Sequence, residues 1–183
     1  MEDQKKVWNA IAKPWANFRQ KPIDEVVKFL ENKSGNILDL GCGSGRNFTE
    51  INGTIYAVDF SEKMLEVAKK SARKKKIKVE FRKSSVLKLP FGNNFFAAAI
   101  FVSVLQCIQT MEKRKESLKE LFRVLKPKSE AYISVWDLNQ GGFNGKEAFV
   151  PWKHDGKEYM RYYYLYDKGE FLDLIKDVGF EIS

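Results

Sequence analysis

Apolar residues recur along the chain in two alternating periods. Short runs rich in β-forming residues, NILDL (Asn36 to Leu40), TIYAV (Thr54 to Val58), VEFRK (Val79 to Lys83), AAAIFVSV (Ala97 to Val104) and AYISV (Ala131 to Val135), alternate with longer amphipathic stretches. The first, second and fourth runs are nearly continuous in apolar residues, the pattern of parallel strands covered on both faces. Helix ends are readable between them: Ser61 caps SEKMLEVAKKSARKK, and Pro127 stops MEKRKESLKELFRVLK. In the latter, Leu118, Leu121, Phe122 and Leu125 recur at i, i+3, i+4 and i+7, which predicts a single apolar stripe. Two helices, near VWNAIAKPWANF and IDEVVKFLENK, precede the first strand, and KGEFLDLIKDVG supplies the last before FEIS. The alternation predicts an α/β fold with a mostly parallel central sheet flanked by helices. With 183 residues, 44% of them hydrophobic, and no low-complexity linker or repeat, the chain fits one domain with a full-sized core.

The stretch ILDLGCGSGRNF, Ile37 to Phe48, joins the first strand to Gly41, Gly43 and Gly45 and predicts a tight turn followed by a helix start over 46–51. Such a bend exposes backbone N–H groups to a ligand, and glycine keeps side chains out of its way. The dinucleotide fingerprint GxGxxG would place glycine at 46, where Arg46 stands, so NAD and FAD are disfavoured; no GK[ST] follows for a Walker loop. What remains is GxGxG after Asp39, with Asp59 ending the next strand about 20 residues on, the spacing at which a carboxylate accepts from ribose hydroxyls.

Composition narrows the setting. The N-terminus lacks the apolar core of a signal peptide and no apolar run is long enough to span a bilayer, so a cytoplasmic protein without a membrane is expected. Cys42 and Cys107 form neither a CxxC nor a Cys/His cluster, which leaves an intrinsic metal site unsupported and predicts reduced thiols. The net charge of +8 favours an anionic partner. Much of it lies in KKSARKKKIK, Lys69 to Lys78, which reads either as a solvated helix end or as an RNA-docking edge.

DLGCGSG with VDFS resembles motifs I and II of class I S-adenosylmethionine-dependent methyltransferases. The resemblance implies their Rossmann-like fold and S-adenosyl-L-methionine as cofactor. It implies that Gly41, Gly43 and Gly45 flank the methionine part, that Asp59 with neighbouring Phe60 holds the ribose, and that Asp39 helps fix the amino group. SSVLKLPF resembles the loop over adenine, with Ser85 and Val86 in contact; Ser85 replaces an acid found in many relatives, and Ala97 replaces an aspartate. A serine hydroxyl accepts from an amino group more weakly than a carboxylate does. Relatives of this class usually carry two more strands after the last helix, so two readings of FEIS stay open: the sequence stops short of those strands, or the C-terminal strands are shortened and the sheet edge is covered by something else.

A narrower resemblance spans nearly the whole chain. VWNAIAKPWANFRQKP, LKELFRVLKP, YISVWD, FVPWK and MRYYYLYDKGEF together look like the tRNA wobble-uridine carboxymethyl methyltransferases. This implies a single methyltransferase domain over 1–183, with N-terminal helices in 1–35 covering the cleft. It implies the anticodon loop of tRNA as substrate, and a small zinc-ribbon activator as possible partner. The sequence departs from that family at Gln106 and Cys107, where two histidines are usual, and at Tyr164. The acceptor of such enzymes is a carboxylate, ionised at neutral pH and in no need of a general base. The chain is short of bases, since His154 is its single histidine and lies in a charged stretch. Cations are needed to orient such an acceptor, and Arg19 and Arg161 are the candidates in matched motifs, with Tyr162 and Trp152 as base-contacting rings. Two alternatives stay open: a small-molecule methyltransferase sharing the same cofactor residues, and a non-catalytic binding subunit of the same fold.

Overall fold

The computed structural model describes residues 3–183. Five strands, β1 (Ser34–Leu40), β2 (Asn52–Asp59), β3 (Val79–Lys83), β4 (Phe96–Val102) and β5 (Leu125–Ser134), form the central sheet. All pairings are parallel, in the order β3-β2-β1-β4-β5. The chain winds outward from β1 to β3 and then returns to β4 beside β1. Ligands of open parallel sheets bind outside the carboxyl ends of the strands at this reversal.

Helices cover both faces. α2 (Asp24–Glu31) buries Val26 and Leu30 against Ile37, Ala98 and Ile100. α3 (Glu62–Lys75) places Leu65, Ala68 and Ala72 against Ile55 and Ala57. α4 (Met111–Val124) and α5 (Lys168–Val178) bury Leu118, Leu121, Leu174 and Ile175 in the largest core cluster. Each such side chain, fully buried, contributes about 1.5 to 3 kcal/mol. α1 (Gln4–Phe18) lies across the carboxyl edge of the sheet. Asp3 caps it by accepting from Lys5 N, and the helix continues through Pro14.

Three details differ from the sequence reading. The segment 46–51 is not a helix, because it must return from the carboxyl end of β1 to the amino end of β2. The seven residues of β1 extend roughly 23 Å. The whole return is made by eleven residues, 41–51, and 41–47 go into turns, with Phe48 N donating to Gly45 O at 3.3 Å; only 48–51 remain, and a helix of four residues rises only about 6 Å. Secondly, α4 ends at Val124 rather than at Pro127. Proline disfavours the helical region for Lys126, and Leu125 is captured by β5, where it pairs with Phe96. The stripe therefore breaks: Leu118 and Leu121 are fully buried, but Phe122 is 46% exposed and meets the ring of Phe180. Thirdly, the motif-bearing segment after β5 is an antiparallel hairpin, β6 (Glu147–His154) and β7 (Lys157–Tyr164), turning on Asp155 and Gly156, both with positive φ. The central sheet ends at β5 among the described residues, and Phe180 to Ser183 form no strand.

Candidate active site

A cleft of about 250 Å³ opens at the reversal point. Its floor comes from residues that follow β1, β2, β3 and β4, and α1 contributes Gln4, Trp8 and Trp15 as its cover. Asp39, Gly41, Gly43, Asp59, Phe60, Ser85 and Val86, seven of the eight residues expected to hold the cofactor, line it. Of the N-terminal helices, α1 is the cover, while α2 packs on the sheet face through Val26 and Leu30.

The glycine loop does its work differently from the sequence expectation. Four of its amides are already engaged within the protein: Gly41 N and Cys42 N donate to Val58 O at 2.8 and 3.0 Å, Gly45 N donates to Cys42 O at 3.0 Å, and Gly43 N donates to Asp59 Oδ2 at 2.9 Å. No helix follows to aim further donors. Gly45 (φ +74°) is required by the protein itself, since a Cβ there would stand 2.3 Å from the Phe48 ring. Gly43 (φ +52°) has nothing within 4 Å and faces the open cleft. Lys75 fastens the loop from behind, donating to Arg46 O and Phe48 O at 2.8 and 2.9 Å.

Two carboxylates therefore supply the polarity at this end. Asp59 is 6% exposed and accepts from Ser61 N at 2.8 Å as well as from Gly43 N; burial raises its pKa to about 6 against those hydrogen bonds. Asp39 is 3% exposed, and its Oδ2 has no hydrogen-bond partner. Burial, reinforced by the Asp59 charge, raises its pKa to about 7. A carboxylate buried at a cleft with an unanswered acceptor calls for a cationic donor. Ser85 already accepts from Leu87 N at 3.2 Å and remains exposed at the cleft rim.

The opposite end is cationic and aromatic. Arg46 lines the cleft, and its pKa is lowered by burial and by the nearby Arg19. Arg19 lies over the rings of Trp15 and Phe18, 5.6 and 5.0 Å from their centroids. Arg161 is buried behind them, 5.3 Å from the Trp15 centroid and 5.1 Å from that of Trp152, with Nη1 donating to Tyr163 Oη at 3.0 Å and Nε unpartnered. Cys107, whose thiol burial pushes up to about 12, lines the cleft and is influenced electrostatically by Arg161. Trp15, Phe18 and Trp152 pack edge-on or tilted at 5.4 to 6.2 Å.

Tyr162 is not part of this end. Residues alternate along β7, so Arg161 and Tyr163 face α1 while Tyr162 and Tyr164 face the core. Tyr162 is 1% exposed, donates to Glu147 Oε1 at 2.9 Å, and accepts nothing from the cleft. The expectation that it contacts a base gives way to a core role, and Tyr163 is the tyrosine joined to Arg161. In the sequence Arg46 stands out only as the residue that breaks a dinucleotide fingerprint; its contribution to the cleft becomes visible with the turn.

Residues 38–133 match the methyltransferase domain family, more than half of the chain. The chain belongs to that family. It is 27% identical, over 94% of its own length and 86% of the relative, to the tRNA (carboxymethyluridine(34)-5-O)-methyltransferase of Schizosaccharomyces pombe. It is 32% identical to the Saccharomyces cerevisiae protein of the same name over 80% of its own length, but spans only 55% of that relative. Its fold resembles a Haloferax volcanii putative methyltransferase solved in complex with the Trm112 methyltransferase activator, with a TM-score of 0.71 at 16% identity over 100% of this chain and 79% of that one.

The methyltransferase's cofactor is S-adenosylmethionine, which supplies a methyl group on a sulfonium. The cleft fits it. Asp39 offers the unanswered carboxylate that an amino group requires, Asp59 retains free lone pairs toward the cleft for ribose hydroxyls, and Val86 and Phe60 give apolar walls. Among the described residues no group of three or more His, Cys, Asp or Glu is placed to hold a metal, and no helix is long and apolar enough to cross a membrane.

Proposed function

We propose that this methyltransferase esterifies the carboxylate of 5-carboxymethyluridine at the wobble position of tRNA. The observation that carries the reading is the pairing of cations with an absence of bases at the acceptor end. Arg19, Arg46 and Arg161 gather there, and none has a carboxylate within salt-bridge distance among the described residues. Apart from Asp39 and Asp59 at the cofactor end, the lining offers no histidine, lysine or acid among the described residues, and the Cys107 thiol stays protonated. Such a site suits an acceptor that arrives ionised, with a solution pKa of about 4, and needs only to be held ~3 to 3.5 Å from the methyl group. Arg46 and Arg19 orient the acceptor carboxylate, and Arg161, held by Tyr163, sets the position of Trp15 and Trp152. Phe18, 63% exposed beside Arg19, offers a ring on which an unpaired base stacks.

The names of the yeast relatives support the same acceptor, and the Haloferax volcanii complex with the Trm112 methyltransferase activator supports an activator protein as partner. A cytoplasmic place of action goes with this reading. The test is transfer from methyl-labelled cofactor to tRNA that carries 5-carboxymethyluridine, with and without an activator, followed by nucleoside mass analysis. A gain of one methylene mass on that nucleoside is the expected result. Label confined to other nucleosides or to small carboxylic acids would overturn the reading.

A further inference from the structure

The basic run that ends α3 sits against the glycine loop. Seven of the ten residues from Lys69 to Lys78 are Lys or Arg and none is acidic. Lys69, Lys70, Arg73, Lys74, Lys76 and Lys78 are exposed, and none has a carboxylate within salt-bridge distance among the described residues. The two acids of the helix lie in its first half and are engaged elsewhere, Glu62 by Lys83 and Glu66 by Lys63.

Helix energetics do not account for this clustering. Basic residues in the last turn complement the helix dipole, which covers Arg73, Lys74 and Lys75. The effect fades within that turn and does not reach Lys69 or Lys70. Those two also stand four residues before Arg73 and Lys74, and like charges at that spacing disfavour the helix. Lys76 follows at the C-cap with φ +57°, a left-handed position that favours glycine. The sequence keeps cations here against local preference.

The same turns of α3 also fasten the back of the glycine loop. Lys75 and Ser71 face inward, bonding to the carbonyls of Arg46, Phe48 and Gly45, so the last turns of α3 lie directly on the segment that carries Arg46. We propose that the exposed basic face of α3 is a docking surface for the phosphate backbone of the substrate RNA, which it holds while the target nucleotide enters at Arg46 and Arg19. This rests on the proposed tRNA substrate and extends it from the reacting nucleotide to the flanking backbone. Charge complementarity selects a polyanion, and the tie through Lys75 to the segment that carries Arg46 selects the one that bears the acceptor.

The experiment compares wild-type protein with Lys69→Gln/Lys70→Gln/Arg73→Gln/Lys74→Gln in tRNA binding, measured by fluorescence anisotropy over a range of salt. The expected result is a fall of at least tenfold in affinity and a salt-dependence slope smaller by roughly 3 to 3.5, at about 0.7 to 0.9 for each of four phosphates no longer neutralised. Cofactor affinity and methylation of the free nucleoside 5-carboxymethyluridine stay as in wild type. The charge-preserving variant Lys69→Arg/Lys70→Arg/Lys74→Arg binds tRNA as wild type does. An unchanged affinity and slope in the glutamine variant, or wild-type preference for vesicles of anionic lipid over tRNA, would overturn the proposal. Failure of the substrate reading looks different: wild-type protein binds tRNA with the full slope but transfers no methyl group to it.

Discussion

Asn9 Oδ1 accepts a hydrogen bond from Ser61 Oγ at 2.7 Å, joining the cover helix α1 to the N-cap of α3. The same oxygen accepts from Lys63 N at 3.3 Å, while Ser61 Oγ accepts from Met64 N and Ser61 N donates to Asp59. One side-chain oxygen thus ties the lid of the cleft to the strand end that carries Asp59. Gln4 makes the corresponding tie on the other side, with Nε2 donating to Met160 O at 3.0 Å and Oε1 accepting from Tyr162 N at 2.9 Å. Between these anchors Trp8 and Trp15 roof the cleft.

Asn9→Ala removes the first anchor. Leaving Ser61 Oγ without its acceptor costs about 1 to 2 kcal/mol of stability, and cofactor affinity falls roughly 3- to 10-fold as α1 loosens. Thermal unfolding and titration calorimetry read the two effects separately. A variant as stable as wild type, with unchanged affinity, would show that α1 is held by its apolar face alone.

Asp39 makes cofactor binding pH-dependent. Its pKa is raised from 3.8 to about 7 in the folded protein, so between those values the folded chain keeps a proton that the unfolded chain has released. The contribution of Asp39 to the stability of the free protein therefore falls as pH rises from about 4 to about 7. Asp39→Asn removes this loss, melting above wild type at pH 8 with a difference that narrows toward pH 4. The same substitution weakens cofactor binding roughly 10- to 100-fold, the range for losing a hydrogen bond to a charged group. In wild type, affinity weakens below pH 7, and calorimetry in buffers of different ionisation enthalpy detects proton release on binding near pH 6 to 7.

Tyr162 and Tyr163 separate by function despite being adjacent. Tyr162→Phe removes the part-buried donor to the exposed Glu147 Oε1 and costs about 0.5 to 1.5 kcal/mol of stability, with turnover of tRNA unchanged. Tyr163→Phe frees Arg161 Nη1 and raises the KM for tRNA several-fold while cofactor affinity holds. Melting temperature against KM distinguishes the pair, and the opposite pattern would place the acceptor on the other face of β7.

What the sequence makes legible is what local chemistry decides. Continuous apolar runs mark β1, β2 and β4, because buried parallel strands leave no room for polar residues, and VEFRK coincides with β3, an edge strand whose charged residues are exposed. Ser61 reads as an N-cap because its hydroxyl serves Met64 N. Asp39 and Asp59 are legible because each ends a strand at the point of reversal. The helix expected over 46–51 fails on a distance that sequence periodicity does not measure. The β6–β7 hairpin carries a local signal, an Asp-Gly pair between alternating apolar residues, hidden by the charges around it. Which of Tyr162 and Tyr163 faces the cleft depends on strand register, and register is set by pairing with β6 and by α1, elements that only the fold brings together.

Gly43 and Gly45 give opposite outcomes when a methyl group is added, although both sit at positive φ in one turn. Gly45→Ala drives a Cβ to 2.3 Å from the buried Phe48 ring, whose neighbours Phe81 and Ile55 leave it little room to move. The expected loss is about 2 to 4 kcal/mol, combining left-handed strain with overpacking. Gly43→Ala meets nothing within 4 Å, so only the strain remains, about 1 to 2 kcal/mol. Its methyl group instead enters the open space of the cleft, and cofactor affinity falls more than tenfold in a protein that still folds. Unfolding curves and cofactor titrations on the two variants separate a glycine that shapes the turn from one that makes room for the ligand. Equal loss of affinity with equal loss of stability would mean that both glycines serve the backbone alone.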